Sequence, residues 1–474
     1  MRALYLLPFL TVAAPAAAAG CEGLAGLAFP NVTITAVSTI APGTQLSFAS
    51  GPVKLPYALC RVSGAAHPTP DSDIRFEVMI PEGAGWNGRF LQVGNGGFAG
   101  QIPYGTMLLG LAKGYAVAGT DDGHATIDNQ DASWGLGHPD KVIDFGWRGV
   151  KSTTDAAKAI LTGYGMTPKK NYFFGCSDGG REALMTAQRY PEDFDGIVAG
   201  APAWAWTHKL GSQALLTAQF ADPARALPVA KLPALEAAAL KACGDGKTYI
   251  ADQRNCRFDP ATIACKAAET AACLTRAQLK TVKLIYNGTR DRITGKLQPG
   301  LRPGAEAEGR SWRDWGVATV PGDTSRLTGK GFAWNHFAYL VKEDPAFSLA
   351  ALTKADVIAG SRKLGHILDA DNPDLSAFKA HGGKLIHYHG WNDPAIPPGY
   401  SQQYHANVQA KMGPSADFYR LFMVPGMLHC SGGPAPTRVD WIAMLEDWVE
   451  RDAAPATATA RDGAGSEQIV RAEP

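Results

Sequence analysis

Gly175-Cys176-Ser177-Asp178-Gly179 is a G-x-S-x-G pentapeptide, the pattern of a serine made nucleophilic on a sharp strand-to-helix turn. It follows the apolar run NYFFGC (171–176) and precedes REALMTAQRYP (181–191), which carries helical spacing. Glycines flank the serine because a Cβ in so tight a turn would collide with neighbouring backbone. Such a turn lifts the Ser177 hydroxyl above the sheet edge. It also leaves the Asp178 N–H at a helix start, facing a developing oxyanion. The same pentapeptide occurs in Gly-rich turns that hold an idle serine, and the strand and helix on either side weigh against that reading here.

A serine hydroxyl needs a base, and the base needs an orienting acid. In this arrangement they follow the serine in the order acid, then base, on loops after later strands. KLIHYHGWNDPAIPP places Asp393 directly after an apolar run, and MVPGMLHC places His429 just after the next one. The 216 positions from Ser177 to Asp393, and the 36 more to His429, leave room for an insertion between serine and acid. His387 and His389 alternate within a strand and read as packing or hydrogen-bonding groups. His124 and His138 sit in Asp/Gly-rich loops, from which either could touch the site without being its base.

These residues need a sheet to hold them. RFLQVGN (89–95), YAVAGTD (115–121), NYFFGC (171–176) and GIVAGAP (196–202) read as buried strands, because strands covered on both faces are almost continuously apolar. WRGVKSTTDAAKAILTGYG (147–165) and 181–191 read as helices between them. The alternation predicts an α/β fold with a largely parallel sheet. From 204 to 370 the rhythm breaks into four cysteines, scattered Pro and Gly, and Trp204, Trp206, Trp312, Trp315 and Trp334, as in an inserted domain. It returns from 371 with KLIHYHGWND (384–393), FYRLFMVPG (418–426) and a last helix near 440–451. The Ala/Thr/Gly-rich tail from 453 reads as loose. The organisation expected is therefore 1–19, 20–203, 204–370 and 371–474.

Residues 1–19 read as a secretory signal: one early positive charge, a short apolar stretch and small residues before the cut. No other stretch reaches the roughly 20 apolar residues of a membrane span. Ala18-Ala19-Gly20-Cys21 loosely resembles a lipoprotein cleavage box, but Ala18 stands where Leu is wanted. A secreted or periplasmic protein is expected, with anchoring at Cys21 the lesser reading. With 474 residues, 46% hydrophobic and 19% charged, the chain is globular and larger than one simple core. Lys+Arg 45 against Asp+Glu 44 leaves +1, without the basic excess of a nucleic-acid binder. Export permits disulfides. Eight cysteines allow on the order of a hundred pairings. Local spacing suggests Cys243–Cys256 and Cys265–Cys273, with Cys21–Cys60 at the N-terminus, leaving Cys176 and Cys430 as a fourth pair or as two free thiols. No CxxC is present to suggest zinc.

Cys176 precedes Ser177, and Cys430 follows His429. With this set the chain resembles the tannase/feruloyl esterase family of α/β-hydrolases, which includes enzymes acting on mono-hydroxyethyl terephthalate. RFLQVGNGGFAG, DDGHATIDNQDASWGLGHP, FGCSDGGREALMTAQRYPEDFDGIVAGAPA and GGKLIHYHGWNDPAIPP extend the resemblance from about residue 70 to 450. The resemblance implies an α/β-hydrolase fold with a large lid inserted at 204–370. It implies a small-molecule aromatic ester as substrate and a Ser177–His429–Asp393 serine carboxylesterase. It also implies a second oxyanion donor from the loop Gly94-Asn95-Gly96-Gly97, assigned to Gly97. The lid tryptophans are candidates for stacking on an aromatic acid, though ordinary packing would equally explain each.

The chain departs from the family in one place. Relatives often carry a calcium loop between two lid cysteines; here 243–256 retains only Asp245 and Asp252 as carboxylates, whereas calcium takes roughly six to eight oxygens. No cofactor is expected to be required for catalysis, and structural calcium is disfavoured. Three rival functions remain. A serine peptidase of the same fold would turn over an anilide rather than an ester. A non-catalytic binding protein is disfavoured by an intact triad. Gly94 to Ala99 also reads as G-x-G-x-x-A before Asp121 and Asp122, a dinucleotide pattern, but QIPYGTMLLGLAK leaves little room for its crossover helix.

Overall fold

The structure, a computed structural model, describes residues 20–48, 51–290, 297–309, 311–320 and 323–474. The segment read as a secretory signal, 1–19, lies outside the described residues.

Nine strands form one sheet: β1 (Val32–Ile40), β2 (Leu59–Ala66), β3 (Ile74–Pro81), β4 (Arg89–Val93), β5 (Ala116–Thr120), β6 (Lys170–Cys176), β7 (Gly196–Gly200), β8 (Lys384–Gly390) and β9 (Tyr419–Val424). Their order is β1-β2-β3-β5-β4-β6-β7-β8-β9. β1, β2, β3 and β5 run antiparallel to one another, and every pairing from β5 to β9 is parallel. The six apolar runs of the sequence are the parallel strands. Each has to bury both faces: Ile197 and Ala199 of β7 pack into one core beside Phe173 and Ala183, while Val198 packs into the other beside Tyr172 and Ile386. Helices cover the two faces, among them α1 (Gly149–Gly163), α2 (Asp178–Arg189), α5 (Gly399–Met412) and α6 (Trp441–Arg451).

After β7 the chain leaves the sheet and does not return until β8. Within this excursion lie α3 (Trp206–Ala218) and α4 (Lys354–Leu368), and a separate apolar cluster around Leu235, Val282 and Trp312. Its two stems close on each other: Ala370 N–H donates to Trp204 O at 2.8 Å, and Thr207 donates through its hydroxyl to Asp369 at 2.7 Å.

Two features depart from the sequence reading. Strands β1 to β3 add an antiparallel edge that no apolar run announces; β1 is largely exposed and carries a register shift between Ile34 and Ala36, so its pattern is weak. The tail from 453, expected to be loose, forms a hairpin, β10 (Thr457–Arg461) with β11 (Glu467–Arg471). Ala458, Ala460 and Val470 are buried in it. Small residues tuck one face of a hairpin against the sheet, which composition alone reads as disorder.

Candidate functional site

Ser177 sits between β6 and α2 with φ +68° and ψ −119°, a backbone state that a non-glycine residue holds only under tertiary constraint. The constraint comes from three close approaches. A Cβ on Gly175 would lie 2.2 Å from Gly179 O, one on Gly179 2.8 Å from Asn95 O, and one on Gly180 2.2 Å from Gly200 O. Ser177 N–H donates to Gly200 O at 3.0 Å, fixing the turn to β7.

Asp393 follows β8 and His429 follows β9. The two loops are stitched together by Trp391 N–H to Val424 O at 2.9 Å and Asn392 N–H to Met427 O at 3.0 Å. They bring His429 Nδ1 to 2.7 Å from Asp393 Oδ2, and His429 Nε2 to 2.9 Å from Ser177 Oγ. The disulfide Cys176–Cys430 joins the neighbours of Ser177 and His429, and Cys21–Cys60, Cys243–Cys256 and Cys265–Cys273 form the other three bonds.

Asp393 is fully buried. Burial pushes its carboxyl up, but His429 and His389 beside it outweigh burial and hold it well below the usual carboxylate range. Oδ1 accepts the N–H groups of Ala395 and Ile396 at 2.8 and 2.9 Å. Oδ2 lies 3.1 Å from His389 Nε2, which also faces Ile396 O at 2.9 Å. A carbonyl can only accept, so Nε2 carries the proton and Nδ1 accepts from Ser401 Oγ at 2.5 Å. Ser401 then accepts from His387 Nε2 at 2.6 Å, and His387 Nδ1 accepts from Tyr419 at 2.7 Å. The strand histidines thus form a fully buried hydrogen-bonded chain ending on Asp393.

The other candidates fall elsewhere. His124 stacks on Trp134 with centroids 3.9 Å apart, its Nε2 is 2.7 Å from Phe98 O, and burial lowers it to about 4. His138 pairs with Asp71 at 2.9 Å. Asp178 opens α2, where a first-turn N–H has no partner within the helix. The 94–97 loop lies against this turn, with Gly179 N–H donating to Asn95 O at 2.8 Å. Gly97 has φ +66°, and a Cβ there would meet Asn129 O at 2.4 Å. Asp252 accepts from Asn255 N–H and side chain at 3.2 and 2.7 Å.

One group escaped the sequence reading. Asp122, Asp178 and Glu182 come together beneath the turn, where Arg181 donates to Asp178 at 2.5 Å and to the carbonyls of Gly146 and Phe145. Burial raises Asp122 to about 7, Asp178 to about 8 and Glu182 well above its usual range. D-x-x-R-E spacing at a helix start was the available signal. Of the lid tryptophans read as stacking candidates, Trp315 is the one placed against His429. Trp315 stands edge-on to His429 with centroids 4.8 Å apart and stacks on Phe332 at 6.0 Å. Beyond it opens a cavity of about 380 Å³, bordered by Trp315, Pro394 and Ala395.

Residues 60–474 match the sequence profile described as tannase and feruloyl esterase. The chain is 38% identical to an uncharacterised esterase of Xanthomonas campestris pv. campestris, over 97% of this chain and 87% of that one. It is 33% identical to a mono(2-hydroxyethyl) terephthalate hydrolase of Piscinibacter sakaiensis, over 94% and 86%. The crystal structure of feruloyl esterase B from Aspergillus oryzae superposes with a TM-score of 0.86 at 25% identity, covering 96% of this chain and 95% of that one.

Proposed function

The chain belongs to the tannase and feruloyl esterase family of ester hydrolases, and we propose that it is an exported serine carboxylesterase for esters of aromatic acids. The observation that carries this reading is the unbroken run of contacts Ser177 Oγ, His429 Nε2, His429 Nδ1, Asp393 Oδ2. His429 removes the Ser177 proton as Oγ attacks the ester carbonyl, and Asp393 stabilises the imidazolium that forms. The Asp178 N–H and a donor of the 94–97 loop, assigned to Gly97, hold the oxyanion. His429 then protonates the departing alcohol, and water admitted after it releases the acid. None of these steps calls on a metal.

Trp315 beside His429, with Phe332 stacked behind it, favours a flat, aromatic acid, and the names of relatives point the same way. Four disulfides support export, since such bonds persist in oxidising compartments. Among the described residues no helix is long and apolar enough to cross a membrane.

Methyl esters of ferulate, gallate and terephthalate, assayed with and without EDTA, test the reading. Wild-type protein turns over at least one of them whether or not chelator is present. Ser177→Ala lowers kcat by about 10⁴-fold or more while melting as the wild type does. A folded Ser177→Ala variant with a tenth of the activity removes Ser177 as nucleophile, and cleavage of an anilide in place of any ester makes the enzyme a peptidase.

A further inference from the structure

Lys209, on the first helix of the insertion, is 9% exposed. Burying an ammonium group is costly unless an anion or several acceptors compensate. Among the described residues its Nζ hydrogen-bonds to Gln213 Oε1 alone, at 2.9 Å, and the face of Phe332 lies 5.7 Å from Nζ. Among the described residues no carboxylate forms an ion pair with it, and the charge that acts on it from a distance is that of Asp393. Asp393 is already spent on His429, His389 and two backbone N–H groups. Desolvation lowers Lys209 to about 8, which leaves it mostly charged at neutral pH.

Lys209 also lines the cavity that borders the segment after Asp393. Its lining includes Pro394 and Ala395, directly after the acid, and Trp315, which stands edge-on to the base. Lys209, Ser212 and Gln213 line it as well, within walls that are otherwise largely apolar, such as Leu215, Leu216 and Val357. At about 380 Å³ it is in the range of small-ligand sites. A cation without a counter-ion in such a cavity is a charge deficit that an anionic ligand removes, and the ligand that must come here is the substrate.

We infer that Lys209, with the Gln213 amide beside it, forms a subsite for a carboxylate carried by the ester substrate at the end away from the scissile bond. The inference rests on the esterase reading above and narrows it. The carboxylate has two sources, the acid half of the ester or the alcohol half. Either suits the position of Lys209, whose Nζ lies 5.7 Å from the centre of the Phe332 ring, itself stacked on the Trp315 that stands against His429.

The test measures kcat/KM on two matched pairs. Monomethyl terephthalate against methyl 4-methylbenzoate places the charge on the acid, and carboxymethyl benzoate against ethyl benzoate places it on the alcohol. Wild-type enzyme prefers the charged member of one pair by at least tenfold, and the pair identifies the source. Lys209→Met lowers that preference about 10- to 100-fold, and Lys209→Arg, which keeps the charge, restores part of it. A wild type without preference in either pair overturns the subsite, and so does a Lys209→Met variant that slows both members equally. Turnover of the neutral esters with no charge preference sinks the subsite and spares the esterase reading. Absence of turnover on every ester sinks both.

Discussion

Cys176 and Cys430 are bonded to each other with Cα atoms 5.9 Å apart, so the residue before Ser177 is tied to the residue after His429. The tie adds to the hydrogen bonds Asn392 N–H to Met427 O and Leu428 N–H to Gly432 O, which hold the rest of that segment. His429 lies outside β9 and outside any helix, between the positive-φ residues Gly426 and Gly432, and Cys430 itself has φ +64°. A 2.9 Å contact between Oγ and Nε2 survives in such a loop only if its backbone is fixed.

Removing the bond should therefore cost rate as well as stability. In the double variant Cys176→Ala/Cys430→Ala we expect kcat to fall about 10²-fold, the scale on which small misplacements of reacting groups act. The sequence separation of 254 makes the chain-entropy effect large, on the order of 4–5 kcal/mol at most, since measured values often fall short of it. Thermal melting and steady-state kinetics of the variant check both parts. A folded variant with wild-type kcat reduces the bond to a structural one, and a free thiol at either position in non-reducing peptide mapping ends the argument.

The chain Tyr419, His387, Ser401, His389 acts on the acid in a similar way, by position. His389→Leu takes away one of the donors to Asp393 Oδ2 and leaves the Ser401 hydroxyl without its acceptor. We expect kcat to fall tenfold or more with KM nearly unchanged, because the loss is in how the acid holds the base and not in substrate contacts. His389→Gln, which still offers an N–H, should recover part of the rate. Equal rises in KM and losses in kcat, or no recovery with Gln, would make His389 a packing residue.

The parallel strands and the meeting of Ser177, His429 and Asp393 were legible because each obeys a local rule. GIVAG is apolar throughout since both of its faces are covered, and Ser177 sits in a pentapeptide whose glycines are required by contacts of 2.2 to 2.8 Å. Lys209 was not legible: in THKLGSQ it looks like any helical lysine, and only the fold reveals that its end is buried with no acid beside it. The same holds for Asp122, which the sequence places with Asp121 in a dinucleotide-like pattern. The structure instead turns Asp121 onto the N–H groups of Gly123 and Arg75, and buries Asp122 against Asn95 at 3.0 Å. The hairpin β10–β11 was missed because alanines can line a packed face without looking hydrophobic.

The buried acids under the nucleophile turn make the last prediction, which concerns pH and stability. Asp122 Oδ1, Asp178 Oδ2 and Glu182 Oε1 have no partner among the described residues, and Arg181 supplies one positive charge to three carboxyls. Protons supply the rest, so the folded protein holds protons that the unfolded chain, with carboxyl values near about 4, has lost by neutral pH. A group whose folded value is raised stabilises fully below its unfolded value, and that contribution is lost as pH rises through the folded one. The window runs from about pH 4 to the folded values of about 7 for Asp122 and about 8 for Asp178. The cluster also reaches the site: Glu182 Oε2 accepts Asn95 N–H at 3.1 Å, and Asn95 O accepts Gly179 N–H at 2.8 Å, so it braces both segments proposed above to supply the oxyanion donors. Glu182→Gln mimics the protonated acid, accepting from Asn95 and donating toward Asp122 without a titration of its own. Its urea-unfolding stability should fall less steeply with pH than that of the wild type, by about 1.4 kcal/mol per pH unit between about pH 5 and 7. Parallel stability curves for the two proteins would mean that Glu182 is ionised in the fold and that the cluster balances its charge in another way.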